Sequence, residues 1–178
     1  EKQDELINLY FSKEGSSYNF CRLHIQSCDF ALGNYSYIED SEDKELKTFS
    51  IERDKKYIIP LVKAALKVNP NIEFLASPWS PCPFMKTNGQ MNNGGKLKLE
   101  YYQMWANVIA KYVETYRSEG INITRLTVQN EPAATQVWDS CVYTAEEERE
   151  FACKYLKEAL CARGLSDVKI NIWDHNKE

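Results

Sequence analysis

The sequence lacks the features that mark a membrane, nucleic-acid or metal protein. No apolar run approaches the roughly 18 residues needed to cross a bilayer, so no transmembrane segment is expected. Lysine and arginine number 22 against 26 aspartates and glutamates, the net charge is −4, and no polybasic run occurs. A nucleic-acid partner, which needs a basic face, is therefore not expected. Histidine occurs twice, at His24 and His175, and none of the six cysteines forms a Cys-x-x-Cys pair. No metal site is expected: His175 beside Asp174 supplies two donors, and His24, inside an apolar stretch, reads as a satisfied core residue. No glycine-rich loop follows an apolar strand, which argues against a doubly wound phosphate-binding protein, and nothing calls for a cofactor. Internal repeats and low-complexity segments are absent. The opening Glu1-Lys-Gln-Asp-Glu5 does not read as a signal peptide and looks like the interior of a longer chain.

What is present suits one domain with a substantial core: 178 residues, 43% hydrophobic and 27% charged. A domain of this size needs no disulfide staples, so the cysteines read as reduced. Cys153 and Cys161 fall in a helical pattern, where small buried thiols are expected. The sequons Asn34-Tyr-Ser36 and Asn122-Ile-Thr124 bear only on a secreted eukaryotic protein.

Periodicity gives a helix near the start, then strand and helix in alternation. Strands are expected to begin near 22, 72, 125 and 168. Ser50 reads as the N-cap of a helix that Pro60 kinks or restarts. Tyr101, Tyr102, Trp105, Val108, Ile109, Tyr112, Val113 and Tyr116 recur at helical spacing and should pack on the sheet; Gly120 stops that helix. Thr144 and Glu147 make a capping box for a helix running to Gly164. The acidic stretch over residues 39–45 reads as a solvated loop. Such alternation implies parallel strands with crossover helices. The segments that follow strands are long and those that precede them short, which favours part of an α/β barrel over a doubly wound sheet. Four strands are half of the eight in a complete barrel.

Barrels place their chemistry at strand C-terminal ends. Here those ends carry Ser27-Cys-Asp-Phe30, Ser77-Pro-Trp79, Asn130-Glu-Pro132 and Asp174-His-Asn176. Each offers a carboxylate, an amide or a large aromatic ring. Sugar hydroxyls want bidentate acceptors such as Asp and Asn, and sugar C–H faces pack on a flat ring. Glycosidic cleavage adds a carboxylic acid to protonate the departing oxygen. Glu131 is the candidate: Pro132 ends sheet pairing after Leu126-Thr-Val128 and should bias Glu131 towards an extended backbone.

Ser27-Cys-Asp-Phe30, Ala76-Ser-Pro-Trp79, Met85-Lys-Thr-Asn-Gly89 and Thr127-Val-Gln-Asn-Glu-Pro132 occur in an order and spacing that resemble glycoside hydrolase family 30, over essentially the whole chain. The resemblance implies a (β/α)8 barrel with an attached β-sandwich, of which this chain would be about strands two to five. It implies a retaining β-glycosidase, glucosylceramidase-like in the leading reading, acting on a glucosylceramide-like or β-glucan substrate. The alternatives are β-1,6-glucan, β-xyloside or fucoside hydrolysis, or a sugar-binding relative without catalysis. By resemblance Glu131 is the general acid/base, Asn130 binds the sugar 2-hydroxyl, Asp29 and Trp79 hold the non-reducing sugar, and Asp174 is a polar neighbour of the acid/base. Ser80-Pro-Cys-Pro-Phe84 departs from the commoner pattern on the leaving-group side. A second glutamate is required about 5–5.5 Å from the first, and none here occupies its position. Glu73 lies within a strand, before its catalytic end.

Overall fold

The computed structural model describes residues 2–177. Helix α1 (Lys2–Phe11) leads into β1 (Phe20–Ile25), α2 (Glu52–Tyr57), α3 (Ile59–Val68) and β2 (Glu73–Pro78). Then come α4 (Tyr102–Ser118), β3 (Ile123–Thr127), α5 (Ala145–Glu150), α6 (Lys157–Ala162) and β4 (Lys169–Asn171). The four strands form one parallel sheet in the order β1-β2-β3-β4. Sequential order with no reversal is the topology of a barrel wall; a doubly wound sheet reverses direction at a switch point. The α/β reading of the sequence holds.

Register decides which residues share a face. Leu23, Ala76 and Leu126 pair across β1, β2 and β3, and they join the helix-side core with Ile25, Phe74 and Ile123. Against them lies α4, whose Trp105, Val108, Ile109, Tyr112, Val113 and Tyr116 are fully buried, as their spacing requires. The opposite, concave face carries Arg22, Leu75 and Arg125 in register. Glu73 stands at the start of β2 and pairs there with Arg125 at 3.6 Å, at the opposite end of the strand from Pro78.

Several local expectations are corrected. Ile51, not Ser50, is the N-cap of α2 and no side chain caps it; Ser50 Oγ instead accepts from Glu52 N at 3.3 Å. The chain restarts at Ile58, with Pro60 in the first turn of α3, where its missing N–H costs no intrahelical bond. The Thr144–Glu147 capping box is present, but the helix it opens passes through a π-helical segment, Phe151–Leu156. Cys153 and Cys161 are exposed, because Phe151, Ala152, Leu156, Ala159 and Leu160 occupy the buried stripe. The buried thiols are Cys28, Cys82 and Cys141. His24 is half-buried, and its Nδ1 bonds the Gln26 carbonyl.

Candidate active site

Beyond Thr127 the β3 chain continues beside its neighbours without regular pairing. Val128 N donates to Asn171 O at 3.2 Å, and Asn130 bridges in parallel to Asp174. Asn130 N donates to Pro78 O at 2.8 Å, so residues 128–130 are tied to strands on both sides. Gln129 is fully buried, and its Nε2 donates to the Trp79 and Asn130 carbonyls at 2.7 and 2.9 Å. These bonds lock the backbone immediately before Glu131.

Glu131 adopts φ +47°, in the left-handed region and not in the extended conformation expected before proline. Its N–H donates to Asp174 O and its carbonyl accepts from Ala134 N, at 2.8 and 2.9 Å. Those two bonds fix a turn at the strand mouth and override the local preference. A non-glycine residue held in this region is strained, and such strain collects at functional sites. The Glu131 side chain stays half-exposed, with Oε2 accepting from Gln136 Nε2 at 3.4 Å.

Arg22, unremarked in the sequence, joins the cluster together. Its guanidinium donates to Ser77 Oγ at 2.9 Å, to Asn130 Oδ1 at 3.0 Å and to the Asp174 carboxylate. It also lies 4.7 Å from the centre of the Trp79 ring, a cation–π geometry. Asp174 accepts in addition from Thr127 Oγ1 and Ser77 Oγ at 2.9 and 3.2 Å. With Asn130 Oδ1 engaged by Arg22, the Asn130 amide nitrogen is left to donate to a ligand oxygen. Trp79, Asn130, Glu131 and Asp174 are thus brought together. Asp29 is not joined to them directly: it is exposed on the turn closed by Ala31 N to Cys28 O, and its neighbour Ser27 donates to Asp139 Oδ1 at 2.6 Å.

The Lys-Thr-Asn-Gly stretch is the root of an excursion over residues 86–97, closed by pairing of Lys86 with Leu97. Asn88 Nδ2 donates to the carbonyls of Asn92, Asn93 and Gly94. Gly94 holds φ +65°, which favours glycine, and a Cβ there would crowd the Thr135 side chain, 2.7 Å from its Oγ1, where the excursion meets the loop after Pro132. Lys86 is buried beneath this junction, its Nζ donating to Ser80 Oγ and Met91 O at 3.0 Å and to Ser140 O. Burial pushes its ammonium down to about 8. Glu148 is a second buried ionisable group behind the site: burial raises its carboxyl, and both oxygens accept from Trp173 N at 3.1 and 3.2 Å.

A carboxyl group at a strand mouth, an amide beside it, an indole ring and a fixed Arg–Asp pair can together bind a polyol and exchange a proton with it. Among the described residues no cluster of three or more His, Cys, Asp or Glu could hold a metal ion, and no helix is long and apolar enough to cross a membrane.

Comparison with known proteins gives the same class of molecule. The model of the glycosyl hydrolase family 30 TIM-barrel domain matches residues 1–178. Putative glucosylceramidase 3 of Caenorhabditis elegans is 38% identical over 98% of this chain, and lysosomal acid glucosylceramidase of Mus musculus 36% identical over 98%. The matches cover 35% and 36% of those two proteins, so the chain spans about a third of their length. The crystal structure of SrfJ from Salmonella typhimurium superposes with a TM-score of 0.95 at 47% identity, over 99% of this chain and 40% of that one. The endo-β1,6-glucanase BT3312 gives 0.87 at 30% identity, over 97% of this chain and 39% of that one.

Proposed function

Because the chain belongs to glycosyl hydrolase family 30, as part of its TIM-barrel domain, we propose that it supplies the acid/base half of a retaining β-glycosidase. The observation that carries the proposal is the pose of Glu131. Its backbone is pinned in the left-handed region at the end of β3, between a tied Asn130 and the carbonyl of Asp174. In this reading Glu131 protonates the leaving oxygen and then, ionised, takes a proton from the water that attacks the glycosyl-enzyme. Asn130 donates to the 2-hydroxyl, Trp79 lines the sugar pocket, and Asp29 meets the outer hydroxyls. Asp174 and Arg22 hold Asn130 and Glu131 in position.

The second carboxylate belongs, in this proposal, to a strand outside residues 1–178, and these residues alone are inactive. The substrate is a β-glucoside, with glucosylceramide favoured by the two glucosylceramidase relatives. A β-1,6-glucan is the second reading, favoured by the likeness to an endo-β1,6-glucanase; the sugar-side residues serve both.

Glu131→Ala in the full-length gene product tests the role. Hydrolysis of an alkyl β-glucoside, whose leaving group needs a proton, is expected to fall by about 100-fold or more. Formation of the glycosyl-enzyme from a dinitrophenyl glucoside, which needs no proton, should survive, and azide should accelerate its breakdown. Equal loss on both substrates with no response to azide would remove Glu131 from this role.

A further inference from the structure

We infer that Gln136 is a positioning residue for Glu131, and that Ser140 and Lys86 hold it in place; the inference rests on the acid/base reading of Glu131. Gln136 Nε2 reaches Glu131 Oε2 at 3.4 Å, a long bond of the kind shown by reacting groups before substrate arrives. An amide N–H suits both protonation states of a carboxyl group. Oε2 accepts from it as a carbonyl oxygen while Oε1 carries the proton, and as a carboxylate oxygen once the proton has left. A carboxylate in its place would favour only the protonated form, and an ammonium only the ionised form.

The backbone of Gln136 is fixed from several directions. Its N–H donates to Ser140 Oγ at 3.1 Å and its carbonyl accepts from Asn93 N at 2.8 Å. Ser140 Oγ also accepts from Gly94 N at 2.9 Å, and the Ser140 carbonyl accepts from buried Lys86. The loop carrying Gln136 is therefore bolted to the 86–97 excursion by buried bonds, a support that can hold a side chain within a fraction of an ångström. The other bonds of Glu131, from its N–H to Asp174 O and to its carbonyl from Ala134 N, are made by backbone atoms and leave the carboxylate itself to Gln136.

The test compares wild type, Gln136→Ala, Gln136→Glu and Glu131→Ala of the full-length gene product on alkyl and dinitrophenyl β-glucosides. For Gln136→Ala, kcat/KM is expected to fall about tenfold on the alkyl substrate and to stay within about twofold on the dinitrophenyl one, since only the former needs a well-placed proton. Gln136→Glu should move the basic limb of the kcat/KM profile to higher pH, because a like charge beside Glu131 favours its protonated form. Ser140→Ala should repeat the Gln136→Ala pattern more weakly. Uniform losses on both substrates, or no loss on either, together with a superimposable profile for Gln136→Glu, would overturn the inference. The Glu131→Ala control keeps the two readings apart. If it spares the dinitrophenyl substrate while Gln136→Ala changes nothing, Gln136 alone is removed; if it loses both substrates equally, the acid/base reading fails first.

Discussion

Arg22 is the residue on which the site's geometry depends most. Its planar guanidinium meets three acceptors on β2, on the segment after β3 and on the segment after β4, while lying over Trp79. A lysine could not form that fork. Arg22→Met leaves the Asp174 carboxylate with two hydroxyl donors and no positive partner. The variant is expected to lose about 2 kcal/mol of stability, the scale of a hydrogen bond to a charged group. Displacing Asn130 should cost about 100-fold in kcat/KM. A thermal melt and steady-state kinetics on one sample would check both; a variant within twofold of wild type would refute the role. That Glu131, Asn130, Asp174 and Trp79 would lie at neighbouring strand ends was legible in the sequence because each comes just after an apolar strand. Arg22 was not, because Arg22-Leu-His-Ile25 satisfies a strand pattern by itself and its partners lie up to 152 positions away. The left-handed turn at Glu131 was hidden in part for the same reason: one of the two bonds that fix it is made to Asp174.

At the scale of elements, the segments that follow β2 and β3 behave as one layer. Asn92 pairs with Asp139, Ser140 N donates to Met91 O, and Val142 N donates to Gly95 O, so the two long loops are zipped together over buried Lys86. The length of these segments was readable, but the bridge between them was not, since a lysine after methionine carries no periodic signal. Lys86 also gives the layer a pH dependence. Burial lowers its folded-state value from the ordinary 10.5 to about 8. Between those values the unfolded chain binds more protons than the folded one, so the group's contribution to stability rises with pH across that window. The melting temperature of wild type minus that of Lys86→Met should therefore become more positive from pH 8 to pH 10. A difference that stays flat or falls over that range would mean that the three acceptors, and not burial, set the lysine's behaviour.

For the whole molecule, strand–helix alternation already implied parallel strands, and the sequential order of β1 to β4 makes them a continuous stretch of barrel wall. The helix-side face is closed by α4 and its neighbours, whereas the concave side keeps Phe20 half-exposed and Arg22 and Arg125 reaching across it. In a complete barrel this is the face that layers of side chains from alternate strands fill. The sequence could show which face is buried against helices because that face is periodic; the concave face is decided by partners that periodicity does not report.

The most direct measurement is to trap the glycosyl-enzyme. The full-length gene product would be incubated with a 2-fluoro β-glucoside bearing a good leaving group, digested, and its peptides weighed. One labelled peptide is expected, with the sugar esterified to a glutamate outside residues 1–178 and Glu131 unlabelled. A label on Glu131 itself, or a folded protein that takes no label from gluco-configured probes and releases no sugar, would contradict Glu131 as the acid/base of a retaining β-glucosidase.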